Sequence, residues 1–417
     1  MNIIELLKEA SRTARYITNL SDSKIRTTLK KTAERLLEKQ AFVLDENRKD
    51  LLEMELLNPK YDRLELTSKR LHEMAEGMET IAGLPSPLGK KLSLAKRPNG
   101  MVITKISVPL GVVGVIYESR PNVTFDVFAI CLKSGNVCVL KGGSEAARSN
   151  EALVSIIQEV LAEEGLPPAI CTLLPSSRDA ATALLNAVGR VDVVIPRGGA
   201  SLISYVRERA RVPVIETGAG VCHVYFDKDG DAQMAESIVS NAKTRRVSVC
   251  NALDCLIIHS RRLESLKEIC GKKLQSQNVE IYADLPSYFS LSGHYPPELL
   301  KKASIEHYGY EFLDYKMSIK TVASFDEALD CIAMNGSKHS ECIVSSNMRT
   351  IRKFQQNVDA ACIYANASTA FTDGGQFGFG GEIGISTQKL HARGPMSLPE
   401  LTTYKYLIKG SGQIRPL

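Results

Sequence analysis

The chain has 417 residues, 44% apolar and 24% charged, the make-up of a folded globular protein with room for two or three domains. With 52 basic and 47 acidic residues, the formal charge of +5 is spread too thinly to mark a nucleic-acid binder, though it suits small anionic substrates such as phosphates. No apolar run approaches the ~20 residues of a membrane span, and the charged N-terminus lacks the apolar core of an export signal, so the ten scattered cysteines are expected to be reduced thiols in a cytoplasmic protein.

Apolar residues at helical spacing (Ile3, Leu6, Leu7, Ala10; then Leu29, Ala33, Leu36, Leu37), with charge on the other faces, predict a helical region over 1–85, broken by Pro85, Pro87 and Gly89. The texture then changes. Apolar runs of strand length stand at 112–117, 137–141, 170–175, 191–196, 212–216 and 223–226, with helix-length segments between them. The clearest helix covers 151–164, with Ser149 or Asn150 as N-cap and a Gly-Leu-Pro-Pro stop. Strands alternating with helices predict an α/β fold built on doubly wound parallel sheets. A second series follows Asp231: a helix over 232–242, then strands at 255–259, 342–345 and 360–364. Residues 366–395 are rich in Gly, Ser and Thr, which implies close backbone approach or a mobile loop. The tail at 401–408 (LTTYKYLI) is of strand length and suited to pairing with another subunit through a sheet edge.

The sharpest chemical signal lies at 241–252, NAKTRRVSVCNA. Cys250 follows a basic cluster (Lys243, Arg245, Arg246) and precedes Asn251. A cysteine attacks as thiolate, and nearby cations favour that form, so Cys250 is a candidate nucleophile; a small buried hydrophobe is the plainer alternative. No G-x-G-x-x-G follows a predicted strand, which argues against an ordinary Rossmann dehydrogenase. Two Gly-rich turns nevertheless close strands: KGGSEA at 141–146 (Lys141, Gly142, Gly143, Ser144) and PRGGAS at 196–201 (Arg197, Gly198, Gly199). Such turns set backbone N–H groups and a cation beside a phosphate or ribose, or are plain strand-to-helix connections. ESRPN at 118–122 offers Arg120 to grip a phosphate or carboxylate and Asn122 to donate to an oxyanion; a polar surface turn is the bland alternative. Cys222–His223 and the Cys250/Cys255 spacing are read as unrelated thiols, so no metal is expected, and no G-x-S-x-G supports a serine hydrolase.

These segments together resemble the aldehyde dehydrogenase superfamily, and within it an acyl-phosphate-reducing branch. The residues that carry the resemblance are VPLGVVGVIYESRPNVTFDV (108–127), SGNVCVLKGGSEA (134–146), DVVIPRGG (192–199), CHVYFD (222–227), NAKTRRVSVCNA (241–252) and EIGISTQKLHARGPMSLPELTTYKY (382–406), in family order from end to end. The resemblance implies a dinucleotide-binding domain over 1–225 with an oligomerisation hairpin at 98–111, a catalytic domain over 226–365, a return segment over 366–400 and an oligomerisation strand over 401–417. It implies NADPH-dependent reduction of L-glutamyl 5-phosphate to L-glutamate 5-semialdehyde in proline biosynthesis, by a homodimer or homotetramer, with glutamate 5-kinase as a partner that supplies the labile phosphate. The superfamily binds its dinucleotide without the glycine fingerprint.

Residue by residue, the resemblance makes Cys250 the nucleophile; its backbone N–H and the Asn122 amide are the candidate oxyanion donors. Lys141 would contact the adenosine ribose, Ser144 would receive a 2′-phosphate, and Glu311 would hold the nicotinamide ribose. Arg120, Lys389 and Arg393 are candidates for the substrate's phosphate and carboxylates; His391 either joins them or packs structurally. Val247-Ser248 stands where many members have Pro-Gly, which would reshape the approach to Cys250. Glu216 occupies the segment where hydrolytic relatives keep a general base. The competing expectations are an aldehyde-oxidising dehydrogenase with Glu216 as that base, and a catalytically silent nucleotide binder.

Overall fold

The alternation of short apolar runs with helices builds two parallel sheets, each inside its own structural unit. The computed structural model describes residues 2–55, 58 and 61–415. The first unit comprises 1–217, 378–384 and 395–417; the second comprises 218–377 and 385–394. Neither is a single stretch of chain.

The first unit begins with the predicted helical region, including Ile3–Ile17, Asp22–Glu38, Gln40–Leu52 and Ser68–Gly83. Asn2, Ser21 and Thr67 cap three of these with side-chain oxygens. Next come β1 (Lys91–Lys96) and β2 (Val102–Pro109), an antiparallel hairpin that starts earlier than the 98–111 expected. Then follow β3 (Val112–Tyr117), β4 (Val137–Lys141), β5 (Cys171–Leu173) and β6 (Val193–Arg197). These four form a parallel sheet in the order β5-β4-β3-β6. Burial of all six β3 residues explains its uninterrupted apolar sequence.

Two local readings change. The helix expected over 151–164 is Ala147–Glu163. Ser149 and Asn150 lie inside it, buried, rather than capping it. Their polar groups are used tertiarily: Ser149 Oγ donates to Asp50 Oδ2 at 2.6 Å, and Asn150 Oδ1 accepts from Thr124 at 3.1 Å. The run at 212–216 is no strand but a single parallel bridge, Val194 to Val214. Pro213 has no N–H to extend a ladder.

The second unit holds β7 (Cys222–Phe226), β8 (Leu253–His259), β9 (Glu280–Ala283), β10 (Leu300–Lys302), β11 (Lys316–Val322), β12 (Ser340–Val344) and β13 (Cys362–Ala365). All are parallel, in the order β10-β9-β11-β8-β7-β12-β13. Val224, Phe226, Leu256 and Ile258 belong to one buried apolar cluster, and Tyr225, Cys255 and Ile257 to another. Strand alternation puts these clusters on opposite faces of the sheet. β7 was expected to close the first domain at 225, but it pairs with β8 and β12, so the boundary falls at 217/218. The segment 366–400 likewise divides between the units rather than returning whole to the first. Two short strands follow, β14 (Gly384–Ser386) and β15 (Gly394–Met396). The last, β16 (Thr402–Lys409), pairs antiparallel with β2 of its own chain. Leu92, Leu94, Tyr404, Tyr406, Leu407 and Ile408 of this three-stranded sheet are exposed. Among the described residues, no helix is long and apolar enough to cross a membrane.

Candidate active site

In the first unit, the sequence-predicted cofactor residues gather where β3, β4 and β6 end. β4 finishes at Lys141, Gly142 and Gly143 make the turn, and Ser144–Ala146 is a 3-10 turn leading into helix Ala147–Glu163. A side chain at Gly142 would strike the Asn150 amide, and one at Gly143 the Glu145 carboxylate. A larger residue at either position would have to displace the Asn150 or Glu145 side chain, so the two glycines let the turn pack closely against both. Burial holds the Lys141 ammonium below its usual pKa, opposed by Glu145 and Glu118. β6 ends at Arg197, and a Cβ at Gly198 would press Leu202 at 2.7 Å and Glu118 at 3.0 Å. Arg197 is not a bare phosphate ligand: it faces Glu382 at 3.6 Å.

After β3, Ser119 sits at φ 39°, with both its N–H and its hydroxyl donating to Glu145 Oε1 at 2.9 and 2.6 Å. Arg120 is half-buried in this turn. Asn122 opens helix Asn122–Lys133 and donates to Asp126 Oδ2 at 3.2 Å. Sequence reasoning missed Glu145, although the KGGSEA motif contains it. Glu216 is held bidentately by Arg207, at 2.7 and 2.5 Å. Both carboxylate oxygens are thereby engaged, an arrangement that suits a structural ion pair better than a base awaiting a proton.

In the second unit, Cys250 occupies a turn between helix Ala232–Thr244 and β8, at the N-terminal edge of the parallel sheet. The ten cysteines form no disulfide; nine are buried and only Cys250 is partly accessible. Its turn is fixed from several sides. Asn251 Nδ2 donates to the carbonyls of Thr372 (3.0 Å) and Ala370 (3.3 Å), while Thr369 Oγ1 donates to the Asn251 carbonyl at 2.8 Å. The Cys222 thiol donates to the Cys250 carbonyl at 3.2 Å. Gly220 passes so close that any Cβ there would overlap that carbonyl. Glu311 accepts the Gly220 N–H at 2.8 Å, which ties the predicted ribose-binding glutamate to the loop beside the cysteine.

The basic cluster before Cys250 divides. Arg245 and Arg246 are exposed, but Lys243 is fully buried, 3.7 Å from Asp254. Asp254 is the extra residue where the β7/β8 register slips, and its Oδ1 accepts the Phe312 N–H at 3.1 Å, next to Glu311. Burial pushes the Asp254 carboxyl up to about 7 against the pull of Lys243, and holds Lys243 down. An aspartate inside the apolar run LDCLIIH was a visible signal that the sequence reading did not use.

Lys389 and Arg393 converge on Asp359, at 2.9 and 2.8 Å, joined by Lys338 at 3.4 Å. His391, exposed and at φ 65°, belongs to the same 385–394 segment. Lys338 and Asp359 had no distinguishing motif in the sequence.

Comparison with known proteins places this architecture. The aldehyde dehydrogenase family model matches residues 7–284. A gamma-glutamyl phosphate reductase of Parabacteroides distasonis is 62% identical across the whole of both chains, and one of Bacteroides thetaiotaomicron is 57% identical over 96% of each. The crystal structure of gamma-glutamyl phosphate reductase from Thermotoga maritima matches with a TM-score of 0.93 at 37% identity over the full length of both chains. An acetylating aldehyde dehydrogenase from Geobacillus thermoglucosidasius, 16% identical, shares the fold at a TM-score of 0.71 over 100% of this chain and 98% of its own. The chain therefore belongs to the aldehyde dehydrogenase family and, within it, to the gamma-glutamyl phosphate reductases.

Proposed function

We propose that this protein reduces L-glutamyl 5-phosphate to L-glutamate 5-semialdehyde with release of phosphate, using NADPH, as a cytoplasmic step of proline biosynthesis. The observation that carries the reading is the accessibility pattern of the thiols: Cys250 alone is reachable, in a turn clamped by Gly220, Asn251 and Thr369. The names carried by relatives 62% and 57% identical agree with it.

The nicotinamide, when bound, supplies the hydride. The residues fit such a group: the Gly142–Gly143 turn joins the end of β4 to the Ser144–Ala146 turn at a helix start, and Lys141 and Ser144 flank it. Glu311 would take the nicotinamide ribose, Lys141 the adenosine ribose and Ser144 the 2′-phosphate. Arg197, Gly198 and Gly199 shape the neighbouring turn.

Cys250 Sγ attacks the C5 carbonyl of the acyl phosphate. The C5–O bond to phosphate breaks, phosphate leaves with the electron pair, and a thioester remains on Cys250. Once C5 is reduced, the oxyanion re-forms its C=O bond as the C–S bond breaks, which releases the aldehyde and leaves the electron pair on Cys250 Sγ. Each tetrahedral stage places negative charge on the former carbonyl oxygen, for which the Cys250 backbone N–H and Asn122 are the proposed donors. Arg120, Lys389, His391 and Arg393 hold the substrate's anionic groups. The enzyme works as a homodimer or homotetramer through the β1-β2-β16 sheet, supplied by glutamate 5-kinase.

The aldehyde-oxidising alternative needs Glu216 as base, and the bidentate Arg207 pair disfavours it. The test is the reverse reaction. NADP reduction with glutamate semialdehyde that requires inorganic phosphate supports the acyl-phosphate reading; phosphate-independent oxidation of simple aldehydes would refute it.

A further inference from the structure

Asp359 stands among three cations: Lys389 Nζ at 2.9 Å, Arg393 Nη2 at 2.8 Å and Lys338 Nζ at 3.4 Å. One carboxylate cannot neutralise three positive charges, so the cluster keeps an excess of about two. Arg393 Nε adds a buried donor with no hydrogen-bond acceptor. Lys389, Arg393 and Lys338 pull the Asp359 carboxyl well below the usual range, so it stays an anion among them.

The cluster occupies a defined place. Lys338 precedes β12 and Asp359 precedes β13, and the two strands pair with Ser340 opposite Cys362. Backbone bonds Ala361 N–H to Lys338 O (2.9 Å) and Cys362 N–H to His339 O (3.0 Å) pin both approaches. All strands of this sheet are parallel, so these residues share its N-terminal edge with Cys250, which precedes β8. β8 and β13 are three strand spacings apart, roughly 14 Å. The 385–394 segment that brings Lys389 and Arg393 is itself fastened near Cys250: Gly218 N–H donates to the Ile385 carbonyl at 3.2 Å, two residues from Gly220.

We propose that Lys338, Lys389 and Arg393, arranged around Asp359, form the receiver for the amino-acid head of the substrate, the cations taking the α-carboxylate and Asp359 the α-ammonium. The inference rests on the acyl-phosphate reading and adds Lys338 and Asp359 as specificity-determining residues. Chemistry and reach agree. A zwitterionic head needs several cations and one anion side by side. From C5 to C1 a glutamyl chain spans about 5 Å, and Lys338, on the approach to β12, stands on the side of the cluster nearer Cys250, two strand spacings from β8.

The test compares two aldehydes in the reverse direction, with NADP and inorganic phosphate: glutamate semialdehyde, which has the head, and butanal, which lacks it. Lys338→Met should raise KM for glutamate semialdehyde about tenfold or more, with kcat nearly unchanged and kcat/KM for butanal unaltered. Lys338→Arg should restore most of the loss. Asp359→Asn should likewise act on the headed aldehyde alone. Equal effects on both aldehydes, or no change in KM, would overturn the head-group receiver while leaving the acyl-phosphate reading intact. Absence of phosphate-dependent oxidation by the unsubstituted protein would overturn both.

Discussion

Gly220→Ala is the sharpest perturbation available. The added methyl would overlap the Cys250 carbonyl, its carbonyl carbon and its Cα, all backbone atoms. Ordinary contact needs about 3.5 Å, so one of the two segments must retreat by more than an ångström. Gly220 is held by Glu311, and the Cys250 turn by Asn251, Thr369 and Cys222, so neither moves without breaking hydrogen bonds. A displacement of ~1 Å at reacting atoms typically costs about 100-fold in rate. We expect kcat for phosphate-dependent NADP reduction to fall by about two orders of magnitude, and the rate of Cys250 alkylation by iodoacetamide to change. The folded unit should survive, as judged by circular dichroism. A variant that keeps kcat within about threefold and alkylates at the unsubstituted rate would show that the register between Gly220 and Cys250 does not govern the chemistry.

Other expectations follow from the same geometry. Cys250→Ser should lower turnover by a thousandfold or more, at about the scale of losing a nucleophile, while NADPH still binds in a fluorescence titration; full turnover in Cys250→Ala would end the covalent mechanism. Arg120→Ala should raise KM for substrate by ~10-fold or more and leave the NADPH dissociation constant nearly unchanged; comparable losses in both would remove Arg120 from the substrate site. Burial pushes the Asp254 carboxyl up to about 7 from the ordinary 3.8. A raised carboxyl pKa gives stability that is present at low pH and lost as pH rises through that window. Asp254→Asn should therefore flatten the decline of Tm between about pH 4 and 7 in thermal melts; an unchanged slope would refute the assignment.

Much of this was legible in sequence because strong local patterns agree with the fold. β3, β4 and β8 are buried, so their apolar runs read clearly as strands. The Gly142–Gly143 and Gly198–Gly199 turns announced themselves by composition, and the accessible Cys250 by its context. What stayed hidden depends on pairing between distant segments. β11, KMSIKTV, alternates too many polar residues to stand out, yet it lies between β8 and β9. β9 and β10, only four and three residues long, gave no periodicity to read. Lys243 reads in sequence as one of a basic cluster with Arg245 and Arg246, and only the fold brings Asp254 against it in the interior. Asp359 and the 385–394 cations meet solely through tertiary structure.

The interrupted course of the first unit bears on how the protein is made. β2 ends at Pro109, but its partner Thr402–Lys409 emerges some three hundred residues later. At usual synthesis rates of ~5–20 residues per second, that delay is roughly 15–60 s. Through that interval the nascent chain presents a hairpin with one edge unpaired, a target for chaperones and for mispairing with neighbouring ribosomal products. Truncation just before residue 402 should therefore impair solubility during expression far more than the loss of so short a tail suggests.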